Sequence, residues 1–146
     1  MKTTIKLLLL TGLSLTLQAA DPESILSFAT LLAGQKNPIR KFNLELKKHP
    51  LLVVKCARKD CPPCRVLAPK FVKIAKDYQG KAQFLEIDVQ QFSTVVARFR
   101  VRSVPTVLIF SRGKLIHTLT GGRIPGSLSV DDLPAVLEEL TKKPTL

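Results

Sequence analysis

Two cysteines separated by two prolines constrain this chain more than any other feature. The motif Cys61-Pro62-Pro63-Cys64 follows a continuous apolar run, Leu51 to Cys56, and precedes a segment whose apolar residues recur at helical spacing. The run predicts a buried strand, so the pair stands where a strand gives way to a helix. Two thiols at this spacing can close a small disulfide ring, and the positive end of the helix stabilises a thiolate at Cys61. We therefore predict that Cys61 attacks disulfides and that Cys64 resolves the resulting mixed disulfide.

Two other interpretations of the pair stay open at this stage. Pro62 and Pro63 fit a first helical turn, whose N–H groups lack partners, and a permanently closed structural disulfide would use the same geometry. A zinc site needs four ligands, and the chain offers only Cys56, His49 and His117 beyond the pair. We favour a redox-active pair, with Cys56 as a small apolar side chain in the strand, and expect neither a metal nor another cofactor.

The first twenty residues are typical of a secretory signal peptide. Lys2 and Lys6 make a basic start, Leu7 to Leu17 is apolar, and Gln18-Ala19-Ala20 offers small residues for cleavage. The apolar run is shorter than the roughly 20 residues that span a bilayer. We expect residues 1–20 to be removed, leaving residues 21–146 as a single domain in the periplasm or another exported compartment.

The remaining chain is predicted to alternate helices and strands. Predicted helices are Pro22 to Ala33, a segment around Phe42 that Pro50 ends, Cys64 to Tyr78, Phe92 to Phe99, and Asp131 to Lys142. Predicted strands are Leu51 to Cys56, Ala82 to Val89, Thr106 to Phe110, and Leu115 to Thr120. This order indicates an α/β domain with a central mixed sheet flanked by helices, preceded by an extra N-terminal helical segment.

The motifs, in this order, resemble the thioredoxin family. Ala68-Pro69 lies within the helix after the dithiol, Val104-Pro105-Thr106 precedes a strand, and Gly113 and Gly121 fall where the family has glycines. The resemblance is secure over residues 51–121. It implies the thioredoxin fold, a cis Pro105 beside the dithiol, and a Val104 backbone open to an extended substrate. The alternative for Pro105 is an ordinary trans proline that starts a strand.

Two positions depart from the family pattern. Asp60 stands before the first cysteine, where the family usually has Trp. Lys55 occupies the position of a buried acid, and Glu86, on the next strand, occupies the position of a lysine. We hypothesise that Lys55 and Glu86 form an ion pair under the dithiol, and that Glu86 takes over some of the proton relay. The alternative is that Lys55 extends to the surface and both residues are only structural.

The expected function is thiol–disulfide exchange on exported proteins, in the direction of reduction. A disulfide oxidant or isomerase with the same site is the first alternative, and a non-catalytic binding or chaperone module the second. A reductase outside the cytoplasm needs electrons, which a membrane thiol donor of the DsbD type would supply. The formal charge of +12 would attract acidic partners. We expect no nucleic-acid partner, because the chain lacks the aromatic stacking platforms of nucleic-acid-binding proteins. We expect a monomer.

Overall fold

A computed structural model describes residues 25–31, 36–122 and 125–142 of the chain. The strands are β1 (Ile25–Ser27), β2 (Leu51–Ala57), β3 (Gln83–Asp88), β4 (Thr106–Ser111) and β5 (Lys114–Thr120). The helices are α1 (Phe28–Leu31), α2 (Pro38–Lys48), α3 (Pro62–Asp77), α4 (Ser93–Ala97) and α5 (Leu133–Lys142), the last preceded by a 3₁₀ turn, Val130–Asp132. The predicted order from residue 39 onward is confirmed, with boundaries that shift by a few residues. The predicted signal peptide lies outside the described residues.

The described strands form one mixed sheet in the order β1-β3-β2-β4-β5. The strands β1, β3 and β2 are parallel, whereas β4 runs antiparallel to β2 and to β5. Strand β2 is central and buried from its second residue onward, which explains its nearly unbroken apolar sequence.

Helices cover both faces of this sheet. On one face, Phe42 and Leu46 of α2 and Val95 of α4 pack on side chains such as Val54 and Leu108. On the other, the side chains of α3 and α5 pack on alternate residues of the same strands; the buried members are Leu67, Phe71, Ala75, Leu133, Leu137, Val53, Phe84, Val107, Ile109 and Leu119. This three-layer α/β arrangement is the predicted architecture.

The predicted N-terminal helix is wrong over part of its length. Ile25–Ser27 is a strand that pairs with Phe84, Leu85 and Glu86 of β3, and only Phe28–Leu31 is helical. Ile25 packs on the α3–α5 side of the sheet and Leu26 on the α2–α4 side. Pairing satisfies the backbone groups of the β3 edge and buries apolar side chains on both faces, and this outweighs the local helix signal. The rest of the predicted helix lies outside the described residues.

Candidate active site

The two cysteines of the motif are joined as a disulfide at the start of α3. Cys61 is the N-cap residue, Pro62 and Pro63 begin the first turn, and the Cα atoms of Cys61 and Cys64 are 5.2 Å apart. The backbone N–H of Cys64 donates to Cys61 Sγ over 3.2 Å. The Cys61 sulfur therefore takes up one of the first-turn N–H groups that would otherwise lack a partner.

Both sulfurs lie at a shallow, largely covered site. Cys61 is 3% exposed and Cys64 is 5% exposed, and both pack against Ala57, at the end of β2, and Val104. Pro62 and Pro63 are exposed and form the outer side of the motif. Only a small fraction of each cysteine is therefore accessible from outside.

The Val104 loop lies directly beside the dithiol, as the resemblance implied. The Val104 carbonyl oxygen is 3.9 Å from Cys61 Sγ, and the Val104–Pro105 peptide bond is cis. The Thr106 hydroxyl donates to the Ser103 carbonyl over 2.7 Å, and the Gly121 N–H donates to the Pro105 carbonyl over 2.8 Å. The first hydrogen bond closes the turn between Ser103 and Thr106, and the second connects Pro105 to the residue that follows β5.

Lys55 and Glu86 form the ion pair that the sequence suggested. They are register partners on β2 and β3, and Lys55 Nζ is 2.7 Å from Glu86 Oε2. The Lys55 side chain is only 4% exposed and its ammonium lies 5.2 Å from the centre of the Phe71 ring. Lys55 therefore does not extend to the surface; instead Glu86, at 45% exposure, brings the pair into contact with solvent.

A pocket of about 310 Å³ opens at the carboxyl ends of the three parallel strands. Its walls are Ser27, Ala57, Arg58, Lys59, Glu86, Asp88, Gln91 and Phe92. Ala57 packs against both cysteines, so the pocket adjoins the dithiol. The sequence does not reveal it, because Ser27 comes from a segment predicted as helix and the other walls come from separate strands.

The third cysteine lies in the core and is not part of the disulfide. Cys56 is fully buried in the α2–α4 core. Burial raises the pKa of its thiol to about 12. The expected role as a small apolar side chain agrees with this environment.

The two histidines are not brought to the dithiol. His49 Nε2 lies 3.2 Å from Glu45 Oε2 at the end of α2, and His117 is in β5. Among the described residues, no group of three or more His, Cys, Asp or Glu side chains could hold a metal ion. None of the helices in the described part of the chain combines the length and apolar character that a bilayer span requires.

Gly121 is a site residue whose role is visible only in three dimensions. A Cβ atom placed on Gly121 would lie 2.6 Å from Pro105 Cδ and 2.8 Å from Pro105 Cγ. A side chain at this position would push directly on the proline beside the dithiol. The sequence shows a glycine after the last strand but not what it touches.

Comparison with known proteins agrees with this geometry. The thioredoxin family model matches residues 35–131, which include the dithiol, Pro105 and the whole β2–β5 region. The chain belongs to the thioredoxin family. Thioredoxins of Staphylococcus aureus and Staphylococcus saprophyticus are 36% and 38% identical to it over 61 residues, 42% of this chain. The match spans 59% of the length of these curated relatives.

Solved thioredoxin structures share the fold. The oxidised thioredoxin of Plasmodium falciparum aligns with a TM-score of 0.59 at 24% identity, covering 70% of this chain and 91% of that one. A thioredoxin of Malassezia sympodialis aligns with a TM-score of 0.59 at 25% identity, covering 68% and 85%. The thioredoxin fold, with its mixed sheet between helices, is therefore shown by both the architecture and the comparisons.

Proposed function

We propose that the protein is a thiol–disulfide oxidoreductase that acts on protein disulfides through Cys61 and Cys64. The observation that carries the proposal is the position of Cys61 Sγ, which accepts the Cys64 N–H at the start of α3 and lies 3.9 Å from the Val104 carbonyl. A helix N-terminus favours the thiolate, and an open backbone carbonyl beside it offers a place for an extended substrate.

The exchange follows two balanced steps. The Cys61 thiolate attacks one sulfur of a substrate disulfide, which forms a mixed disulfide and releases the other substrate sulfur as a thiolate that takes up a proton. Cys64, once deprotonated, attacks Cys61 Sγ, closes the Cys61–Cys64 disulfide and releases the second substrate thiol. The substrate gains two electrons, which the dithiol loses.

The attacking and resolving roles of the two cysteines are assigned from their positions and not from their exposure. Both residues are almost equally covered. The Cys61 sulfur accepts a first-turn N–H and lies 3.9 Å from the Val104 carbonyl oxygen, whereas Cys64 lies within the first turn of α3. Cys61 is therefore the attacking residue, and Cys64 the resolving one.

Substitution of each cysteine tests this assignment. Cys61→Ser should abolish reduction of an insulin-type disulfide, because no attacking thiolate remains. Cys64→Ser should retain the first step and accumulate mixed disulfides that are visible on a non-reducing gel. Cys56→Ser is the matched control and should keep most of the activity. Full activity in Cys61→Ser would refute the role of Cys61, whereas no reduction by the unsubstituted protein would favour a binding or chaperone module.

Reduction is the proposed direction, because Val104-Pro105-Thr106 follows the thioredoxin pattern. A reduction potential near that of thioredoxin, about −270 mV, would support a reductase, whereas one near −120 mV would assign an oxidant. An isomerase would instead restore activity to a scrambled disulfide protein without a net change in its thiols.

We further propose that the protein is exported, that a membrane thiol donor reduces it, and that it is a monomer. The N-terminal pattern supports secretion, and a reductase in an oxidising compartment needs a membrane thiol donor of the DsbD type. Fractionation with N-terminal sequencing should find the protein in the exported fraction, starting near residue 21. Full-length protein in the cytoplasm would contradict both export and this donor. Light scattering would test the monomer.

We also assign Glu86 a proton-relay role toward Cys64. Glu86 and Ala57 both line the solvent-accessible pocket, and Ala57 also packs against Cys64. A carboxylate there can exchange protons with water while Lys55 holds its position. The relay would act on the second step, in which Cys64 must lose its proton.

A further inference from the structure

Four exposed cations lie next to the dithiol along the chain. Arg58 and Lys59 connect β2 to Cys61, Arg65 follows Cys64, and Arg102 comes two residues before Val104. None of the four forms an ion pair with any residue that the structure describes. Asp60 is an exposed acid within the same stretch.

The acids of the adjoining pocket, in contrast, already have partners. Glu86 is paired with Lys55 over 2.7 Å. Asp88 Oδ1 accepts the backbone N–H of Gln90 over 2.8 Å and that of Gln91 over 3.2 Å. Arg58 and Lys59 are the cations in the wall of this pocket. These backbone hydrogen bonds leave the charge of Asp88 in place, but the four exposed cations outnumber the two acids that form no ion pair with a described residue, Asp60 and Asp88, so the surface around the dithiol keeps an excess of positive charge.

We propose that the dithiol acts preferentially on protein disulfides that lie in acidic segments, with Arg58 and Lys59 receiving an Asp or Glu side chain near the attacked cysteine. The pocket, at about 310 Å³, has room for one such side chain. Arg65 follows Cys64 and Arg102 precedes Val104 by two residues, so both add exposed positive charge near the dithiol. This inference rests on the proposed exchange activity and specifies its substrate class.

The physical reason is electrostatic steering and positioning. Cys61 is 3% exposed, so a productive encounter needs a substrate segment held closely along the Val104 loop. Complementary charges around a site raise the rate of association, and exposed pairs act mainly on that rate rather than on the strength of the complex.

The same cations also stabilise the Cys61 thiolate, which would speed exchange with every substrate. The informative quantity is therefore a ratio of rates between substrates, from which a uniform effect on the thiolate cancels.

Three disulfide peptides of equal length test the preference. They differ only in the residues beside one cysteine, which are Glu, Gln or Lys, and each reacts with the reduced full-length protein. We expect the Glu peptide to react about tenfold faster than the Gln peptide at low salt, with the Lys peptide slowest. In about 0.5 M salt, where screening acts within a few ångströms, the ratio should fall toward one.

Double variants test whether Arg58 and Lys59 cause the preference for the Glu peptide. Arg58→Gln with Lys59→Gln should lower the Glu-to-Gln ratio about threefold or more, and Asp60→Asn should raise it. Lys76→Gln with Lys114→Gln is the matched control. It removes the same charge from exposed positions at the end of α3 and at the start of β5, whereas the dithiol lies at the opposite ends of α3 and β2. The control pair should leave the ratio nearly unchanged.

The outcomes separate the two proposals. Equal rates for the Glu and Gln peptides, or an equal effect of both variant pairs, would overturn the preference for acidic segments and leave the exchange activity intact. Failure of the protein to reduce any of the three peptides would refute the exchange activity itself.

Discussion

At the level of single residues, the three cysteines fall into two classes according to their environment. Cys61 and Cys64 lie at a helix start beside an accessible loop, whereas Cys56 is enclosed by the α2–α4 core. The pKa of Cys56, raised to about 12 by burial, leaves almost no thiolate at neutral pH.

Cys56 should therefore resist alkylation in the folded protein. With Cys61 and Cys64 oxidised, iodoacetamide at pH 8 should leave Cys56 unmodified in native buffer and label it fully in denaturant, as measured by mass spectrometry. A variant carrying Cys61→Ser and Cys64→Ser isolates the signal of Cys56. Rapid labelling in native buffer would contradict the burial described above.

A second prediction at the level of single residues concerns the Lys55–Glu86 ion pair. Glu86→Gln should slow resolution by Cys64 at least about tenfold while changing the initial attack by Cys61 much less, because the proposed relay acts only on the second step. Stopped-flow kinetics of mixed-disulfide formation and decay measure the two rates. A merely structural role would lower stability and leave the ratio of the two rates unchanged.

Asp88→Asn is the matched control for Glu86→Gln. It removes a carboxylate charge from the same pocket, and the remaining amide oxygen can still accept the Gln90 and Gln91 N–H groups. Equal slowing of resolution in both variants would show that pocket charge, rather than proton transfer by Glu86, controls the second step.

At the level of elements, the end of β5 holds the Val104 loop in place. The Gly121 N–H donates to the Pro105 carbonyl, and the Gly121 Cα lies too close to the Pro105 ring to allow a side chain. The residue that follows β5 therefore contacts Pro105 through one hydrogen bond and one close approach.

Gly121→Ala should displace Pro105 and impair both stability and exchange. We expect a loss of about 1–3 kcal/mol in the free energy of unfolding, as overpacking typically costs, and slower reduction of peptide disulfides. Urea denaturation and peptide kinetics measure the two effects. Gly122→Ala is the control, since a Cβ there would meet no atom of the described residues within 4 Å. Similar behaviour of the two variants would argue against a specific contact with Pro105.

At the scale of the whole molecule, a buried carboxylate links stability to pH. Glu45 in α2 is 3% exposed and contacts Lys41 over 3.0 Å and His49 over 3.2 Å. Burial by itself raises the pKa of Glu45, but the Lys41 hydrogen bond and charge, the Lys48 charge and the His49 contact outweigh it and hold the pKa below its ordinary value. Because Phe42 and Leu46 of the same helix enter the core, loss of this cluster weakens the whole fold.

A lowered carboxyl pKa stabilises the folded state above the ordinary pKa, and that contribution is lost as the pH falls through the folded value. Glu45→Gln should therefore reduce the free energy of unfolding by about 1–2 kcal/mol at pH 7, and by less below pH 4. Urea denaturation across this pH range, with the disulfide kept oxidised, measures the difference. A difference that is constant with pH would exclude an ionised Glu45 as the cause.

Much of this fold follows from local patterns. The apolar run before Cys61 predicts the central strand β2, and helical spacing after Cys64 predicts α3, because these periods reflect which side chains each element buries. The N-terminal strand does not follow from such patterns. Ile25 and Leu26 gain their partners only from the edge of β3, more than fifty residues further along the chain.

The sequence by itself determined the dithiol and its place at a helix start, whereas the proline loop beside the dithiol and the pairing of Lys55 with Glu86 were hypotheses that drew on the family resemblance. These features depend on short motifs and on the register of neighbouring strands. Only the tertiary structure decided that Glu86 rather than Lys55 faces solvent, that Gly121 lies against Pro105 with no room for a side chain, and that Ser27, Arg58 and Asp88 enclose one pocket. Those contacts join segments that are distant in the chain, so they depend on how the layers pack and not on any local pattern.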